Sequence, residues 1–131
     1  MTEAQFTSKY ILPTQGLPTG GYEVKLTKTG TLPFSRLAAH QEAALLQTKH
    51  TGLKEKIRDV GNFKKPFDFF ILRNTGGWVC AVFWKPRVKH WYMIDIDAWI
   101  QERETSTRKS LTEERAREIA VSIVSGPVCC G

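Results

Sequence analysis

The chain is expected to fold as one α/β (α+β) domain, a central mixed β-sheet flanked by helices. Strand-like runs, alternating or rich in β-branched and aromatic residues, fall at 22–28, 67–73, 78–84 and 90–96. Helical start and stop signals lie between and after them. With 131 residues, 41% hydrophobic and 24% charged, there is material for one core and not for two, so 1–131 reads as a single domain.

In chain order, a short helix starting at Thr2 is ended by the Gly/Pro/Thr-rich stretch at 13–21, which leaves 1–20 as helix and loop. Tyr22, Val24 and Leu26 then alternate with Glu23, Lys25 and Thr27, the period-two pattern of a half-buried strand. Ser35 is placed to cap a helix running to about Thr48, with Leu37, Ala38, Gln41, Ala44, Leu45 and Thr48 on one stripe and Gly52 just beyond. After a basic connection, the runs at 67–73, 78–84 and 90–96 predict three consecutive antiparallel strands. Asp97 is expected to cap a helix through about Glu104. Ser110 and Glu113 form the Ser-x-x-Glu capping box of another, ending near Val124. Residues 125–131 read as a frayed tail. Trp78, Phe83, Trp84, Trp91 and Tyr92 alternate within strands, which favours core packing over base stacking.

Charge is unevenly distributed. Up to Ile94 there are 14 Lys and Arg against 6 acids, or +8; beyond it there are 5 against 7, or −2. A basic body suits a polyanionic partner, because Lys and Arg contacts to phosphate release condensed counterions. No run approaches the roughly 20 apolar residues that cross a bilayer, and the N-terminus lacks a basic region followed by an apolar one. A cytoplasmic protein that does not engage a membrane is therefore expected. Cys80 lies in an apolar run and Cys129 and Cys130 are adjacent, a distribution that makes neither a disulfide framework nor a zinc pattern and fits a reducing compartment.

Glu23 and Lys25 carry the chemistry. A strand sets them side by side on one face. A carboxylate that holds Mg2+, next to a lysine that orients or deprotonates water and offsets charge on phosphorus, is a site for phosphodiester hydrolysis. The alternative is an exposed cross-face ion pair, common on strands.

The run Glu23-Val24-Lys25-Leu26-Thr27, then Pro33-Phe34, then His40-Gln41 in a helix, resembles the RecU-type and phage Holliday junction resolvase-like proteins of the PD-(D/E)XK nuclease superfamily. The likeness continues through 65–68, 93–97 and 108–116. It implies a restriction-endonuclease-like core and a phosphodiester hydrolase, a Holliday junction resolvase-like endodeoxyribonuclease. Branched or duplex DNA is the implied substrate and Mg2+ (or Mn2+) the cofactor, with no organic cofactor. A homodimer is implied because resolving a junction takes two symmetrical cuts. If the chain is phage-encoded, the implied compartment is a bacterial host's cytoplasm. Residue by residue, the resemblance makes Glu23 a metal ligand and Lys25 the catalytic lysine, with Gln41 and His40 near the scissile phosphate.

The family usually supplies an Asp on the preceding strand, whereas residues 4–22 contain no acid. Asp68 is the choice for a second metal ligand, since it follows Lys65-Pro66-Phe67 at the start of an expected core strand; its other reading is a strand-edge Asp bonded to backbone amides. Glu3 is a further candidate. Lys28, Thr29, Thr31, Ser35 and Arg36 form a hydroxyl-rich basic loop suited to phosphate oxygens. Lys54, Lys56, Lys64 and Lys65, then Arg87 and Lys89, supply two more basic segments for the arms of a duplex. Two other functions fit the same composition: a catalytically inactive DNA-binding protein on this fold, and a basic interaction or inhibitor domain aimed at an acidic protein.

Overall fold

The computed structural model describes residues 1–88 and 90–125; Lys89, Cys129, Cys130 and all of the expected tail beyond Ser125 lie outside the described residues. The architecture is mixed α/β. A four-stranded mixed sheet has the order β1-β5-β6-β8, with β1 at Gly20–Thr27, β5 at Gly76–Phe83, β6 at His90–Asp95 and β8 at Ser122–Ser125. Strand β1 runs parallel to β5, and β6 is antiparallel to both β5 and β8. Two small antiparallel pairs are not hydrogen-bonded into it: β2 (Thr31–Pro33) with β7 (Ser110–Thr112), whose Leu32 and Leu111 join the core, and β3 (Leu53–Lys56) with β4 (Phe69–Leu72).

Alternation along the strands divides the apolar residues into two cores, one on each face. Val79, Ala81, Phe83, Tyr92 and Ile94 point to the face that also gathers Leu45 of α2 (Ala39–His50), Trp99 of α3 (Ile96–Thr105) and Ala116 of α4 (Glu113–Ile119). Leu26, Cys80, Val82, Trp91 and Met93 point to the other, under α1 (Glu3–Phe6) and the π-helical turn Thr7–Ile11 that continues it. Phe83, Trp91 and Tyr92 are buried and Trp78 and Trp84 half-buried, as core packing requires. Among the described residues, no helix is long and apolar enough to cross a membrane.

Four local expectations are corrected. The 67–73 and 78–84 runs do not pair: β4 turns back on β3, a strand hidden by its three charged residues, and β5 takes β1 instead. Ser35 lies in a 3-10 turn, and α2 starts after Ala38, whose backbone N–H is bonded by the Gln41 side chain at 3.0 Å. Helix α3 is capped by Asp95, which accepts from the Asp97 N–H, and α4 by Thr112, so Asp97 and Ser110 do not cap them. Helix α4 stops at Ile119, and the residues expected to prolong it form β8.

Candidate active site

The parallel register sets Glu23 opposite Val79 and Lys25 opposite Ala81, on the face covered by α2. How closely α2 approaches is fixed at Gly77. A Cβ there would lie 2.4 Å from the Leu45 carbonyl oxygen, so only a glycine lets the helix backbone rest directly on β5. The first turn of α2 is thereby held over β1. Gln41 uses both ends of its amide: Oε1 accepts from Ala38 N, and Nε2 donates to Glu23 Oε1 at 2.9 Å. Lys25 Nζ lies 3.4 Å from the same oxygen.

Three of the expected residues, Glu23, Lys25 and Gln41, therefore meet. Their environment is asymmetric. The Lys25 side chain is 9% exposed and that of Glu23 30% exposed, so the ammonium is enclosed while its counter-charge reaches the surface. An enclosed ammonium interacts with neighbouring charge more strongly than one in water. Glu23 Oε2 makes no hydrogen bond or ion pair among the described residues, and the side chain that carries it is 30% exposed. On the opposite face, burial pushes the Cys80 thiol far above its ordinary range, and the Glu23 charge adds to the shift. Cys80 is accordingly an inert thiol. Burial, then the Cys80 charge, pushes Tyr22 up to about 12.

The other expected residues are dispersed. His40 is exposed one residue before Gln41 and has no bonded partner among the described residues, so it does not join the cluster. Asp68 is not the buried acid its apolar neighbours suggested. It precedes β4 in the separate β3–β4 pair, is 82% exposed, and pairs with Lys65 at 3.2 Å, because the strand it introduces lies outside the main sheet. Within the loop after β1, Thr29 Oγ1 bonds the Thr31 carbonyl at 2.9 Å and Arg36 is held by Glu3 at 2.5 Å, whereas Lys28 and Ser35 are exposed. Lys54, Lys56, Lys64 and Arg87 are exposed as well.

Two features were not read from the sequence. Glu3 Oε1 also accepts from Leu26 N at 3.2 Å, sealing the outer edge of β1 across 23 residues of sequence; nothing local to Thr2-Glu3 signals that contact. Lys49, at the end of α2, reaches Asp95 at 2.8 Å and Asp97 at 2.5 Å, and His50 reaches Asp97 at 2.9 Å. The spacing of Asp95 and Asp97 was the available signal.

Comparison with known proteins gives no match to a family model, a curated protein or a solved structure.

Proposed function

We propose that the chain is a metal-dependent, structure-selective DNA endonuclease, a Holliday junction resolvase-like phosphodiester hydrolase with a PD-(D/E)XK-like core. Its substrate is branched DNA in recombination, repair or phage DNA processing, and it acts as a homodimer whose two sites make the paired cuts. The observation that carries this reading is the enclosed lysine held beside a partly exposed carboxylate on one strand, with a helix-borne glutamine fixing that carboxylate. A solvated surface pair would have both side chains in water. The resemblance implies a strand, a Pro-Phe loop and a helix; here β1 is followed by Pro33 at the end of β2, Phe34 at the start of a 3-10 turn, and then α2.

Magnesium is commonly held by one or two carboxylates together with substrate phosphates. Glu23 is the carboxylate beside Lys25 and Asp68 does not complete the expected pair, so Glu23 would be the protein's share of such a site, with substrate phosphates and water supplying the rest. A divalent ion there, Mg2+ or Mn2+, would supply neutralisation of the phosphate charge and polarisation of the phosphoryl oxygen. Lys25, as an ammonium with three donors, orients the attacking water and offsets the charge that grows on the phosphoryl oxygens. Gln41 has a second amide N–H beyond the one given to Glu23, available to a phosphate oxygen at the positive end of α2.

A synthetic four-way junction should be nicked in Mg2+. Glu23→Ala or Lys25→Ala should reduce cleavage by at least about a hundredfold, the usual range for a lost electrostatic or acid-base partner, while DNA affinity stays within a few-fold. Undiminished cleavage by either variant sinks the assignment. The second reading, a catalytically silent DNA-binding protein on the same fold, draws on the single carboxylate found beside Lys25. It is recognised by junction binding that gives no product in any divalent metal.

A further inference from the structure

Strands β3 and β4 pair only with each other and form an arm that leaves the end of α2 and returns ahead of β5. In their register Lys54 stands opposite Ile71 and Lys56 opposite Phe69, and all four side chains are exposed on one face. Leu53, Phe70 and Leu72 on the other face are half-buried. Near the far end, Val60 and Phe63 are joined by two backbone hydrogen bonds of 3.1 and 2.9 Å around Gly61, whose φ of +58° permits the tight reversal. These two apolar side chains are 70% and 81% exposed.

An apolar side chain left in water contributes nothing to folding, so stability does not explain Phe63. Two of the arm's three acids are occupied internally: Asp59 accepts from Lys65 N at 2.7 Å, and Asp68 pairs with the Lys65 ammonium, while Glu55 is exposed between Lys54 and Lys56. Residues 53–73 carry 6 Lys and Arg against 3 acids, a net +3. The partner that suits this arm offers negative charge and flat apolar surface together. A second copy would bring like charge to like charge. A continuous duplex offers phosphates but keeps its base faces stacked inside, whereas a branch point presents the faces of the pairs that flank it.

We infer that the β3–β4 arm senses the branch: Lys54 and Lys56 hold phosphates, and Phe63, supported by Val60, stacks on a base face exposed where helices diverge. The inference rests on the reading that branched DNA is the substrate.

The test uses the full chain without divalent metal, binding a four-way junction and a linear duplex of the same sequence, with 2-aminopurine beside the crossover. Phe63→Ala should cost on the order of tenfold in junction affinity, leave duplex affinity unchanged and abolish the 2-aminopurine signal, and Phe63→Trp should restore it. Lys54→Ala with Lys56→Ala should weaken both DNAs alike and flatten the salt dependence by about two phosphate contacts. Equal losses for Phe63→Ala on both DNAs, or none, overturn the inference, while Mg2+-dependent nicking that still needs Glu23 leaves the endonuclease reading intact. A Phe63-dependent dimer in sedimentation, or Phe63-dependent binding to phosphatidylcholine/phosphatidylserine vesicles, also overturns it. If the wild-type chain binds no junction, both readings fall.

Discussion

Trp99 and Phe63 are both large aromatic residues, yet Trp99 is 0% exposed on the buried face of α3 and Phe63 is 81% exposed at the end of the β3–β4 arm. The sheet with its covering helices is built to persist, with both faces of its central strands β5 and β6 closed by apolar side chains. The arm has one half-buried face and one open one, and a lone two-stranded hairpin is marginally stable in water. Chemistry that needs fixed geometry belongs on the first region, and contact with a variable partner belongs on the second.

The largest effect that separates them is on global stability. Trp99→Ala should cost about 3–5 kcal/mol in denaturant unfolding, because it empties a site packed against Phe34 at a ring-centroid distance of 5.3 Å. Phe63→Ala should change it by less than about 0.5 kcal/mol. Trp99→Phe should be milder than the alanine, since the indole N–H has no hydrogen-bond partner among the described residues and packing alone is lost. Comparable losses at Trp99 and Phe63 would mean that the arm is part of the cooperative core.

Two glycines sharpen the contrast at the next level. Gly77→Ala places a methyl against the Leu45 backbone and should cost about 1–3 kcal/mol by overpacking. Lifting α2 also draws Gln41 away from Glu23, so junction cleavage should fall more than junction binding. Gly61→Ala has open space around its Cβ but a φ of +58°, so its cost, about 1 kcal/mol, is backbone strain that should stay local to the arm. Cleavage that survives Gly77→Ala unchanged would show that the depth of α2 does not position the carboxylate.

The same contrast governs what could be read from the chain. Tyr22, Val24 and Leu26 alternate because β1 closes a core, and that alternation placed Glu23 and Lys25 on one face before any partner strand was known. The pairing of β4 was not readable. Phe69, Phe70 and Ile71 have the composition of a core strand, but their partner, Leu53-Lys-Glu-Lys56, shows one apolar residue in four, and composition does not name a neighbour. Asp68 was misread for that reason: an acid among phenylalanines is costly only if the phenylalanines are buried. The start of α2 was missed because its cap comes from Gln41, reaching backwards, and a rule that looks for Ser or Asp at the boundary selects Ser35. Helix starts at Ile96 and Glu113 were each displaced by two residues, since several neighbouring residues there have side chains able to cap.

The smallest expected effect lies where the two regions join. Lys49 and His50 end α2 just ahead of the arm, and both bond Asp97 Oδ2. The Lys49 hydrogen bond, and then that of His50, hold the Asp97 carboxyl below its usual range. Burial opposes the charge on Lys49, but its bonds to Asp95 and Asp97 outweigh this and raise it above the usual lysine value. A lowered carboxylate stabilises the fold above its ordinary pKa, about 4, and loses that contribution as pH falls through the folded value; a raised lysine stabilises below about 10 and loses its contribution above that. The Lys49–Asp97 pair is therefore fully charged between about pH 4 and 10. Asp97 is nearly half exposed, so solvent screens the pair and less than about 1 kcal/mol is at stake. In hydrogen exchange at pH 6, Asp97→Asn should lower protection at residues 47–57 and leave β5 unchanged, with the difference from wild type shrinking as the pH is taken down through the lowered folded value of Asp97. A deficit that persists in acid, or that spreads into β5, would show that the arm's root is held by something other than this carboxylate.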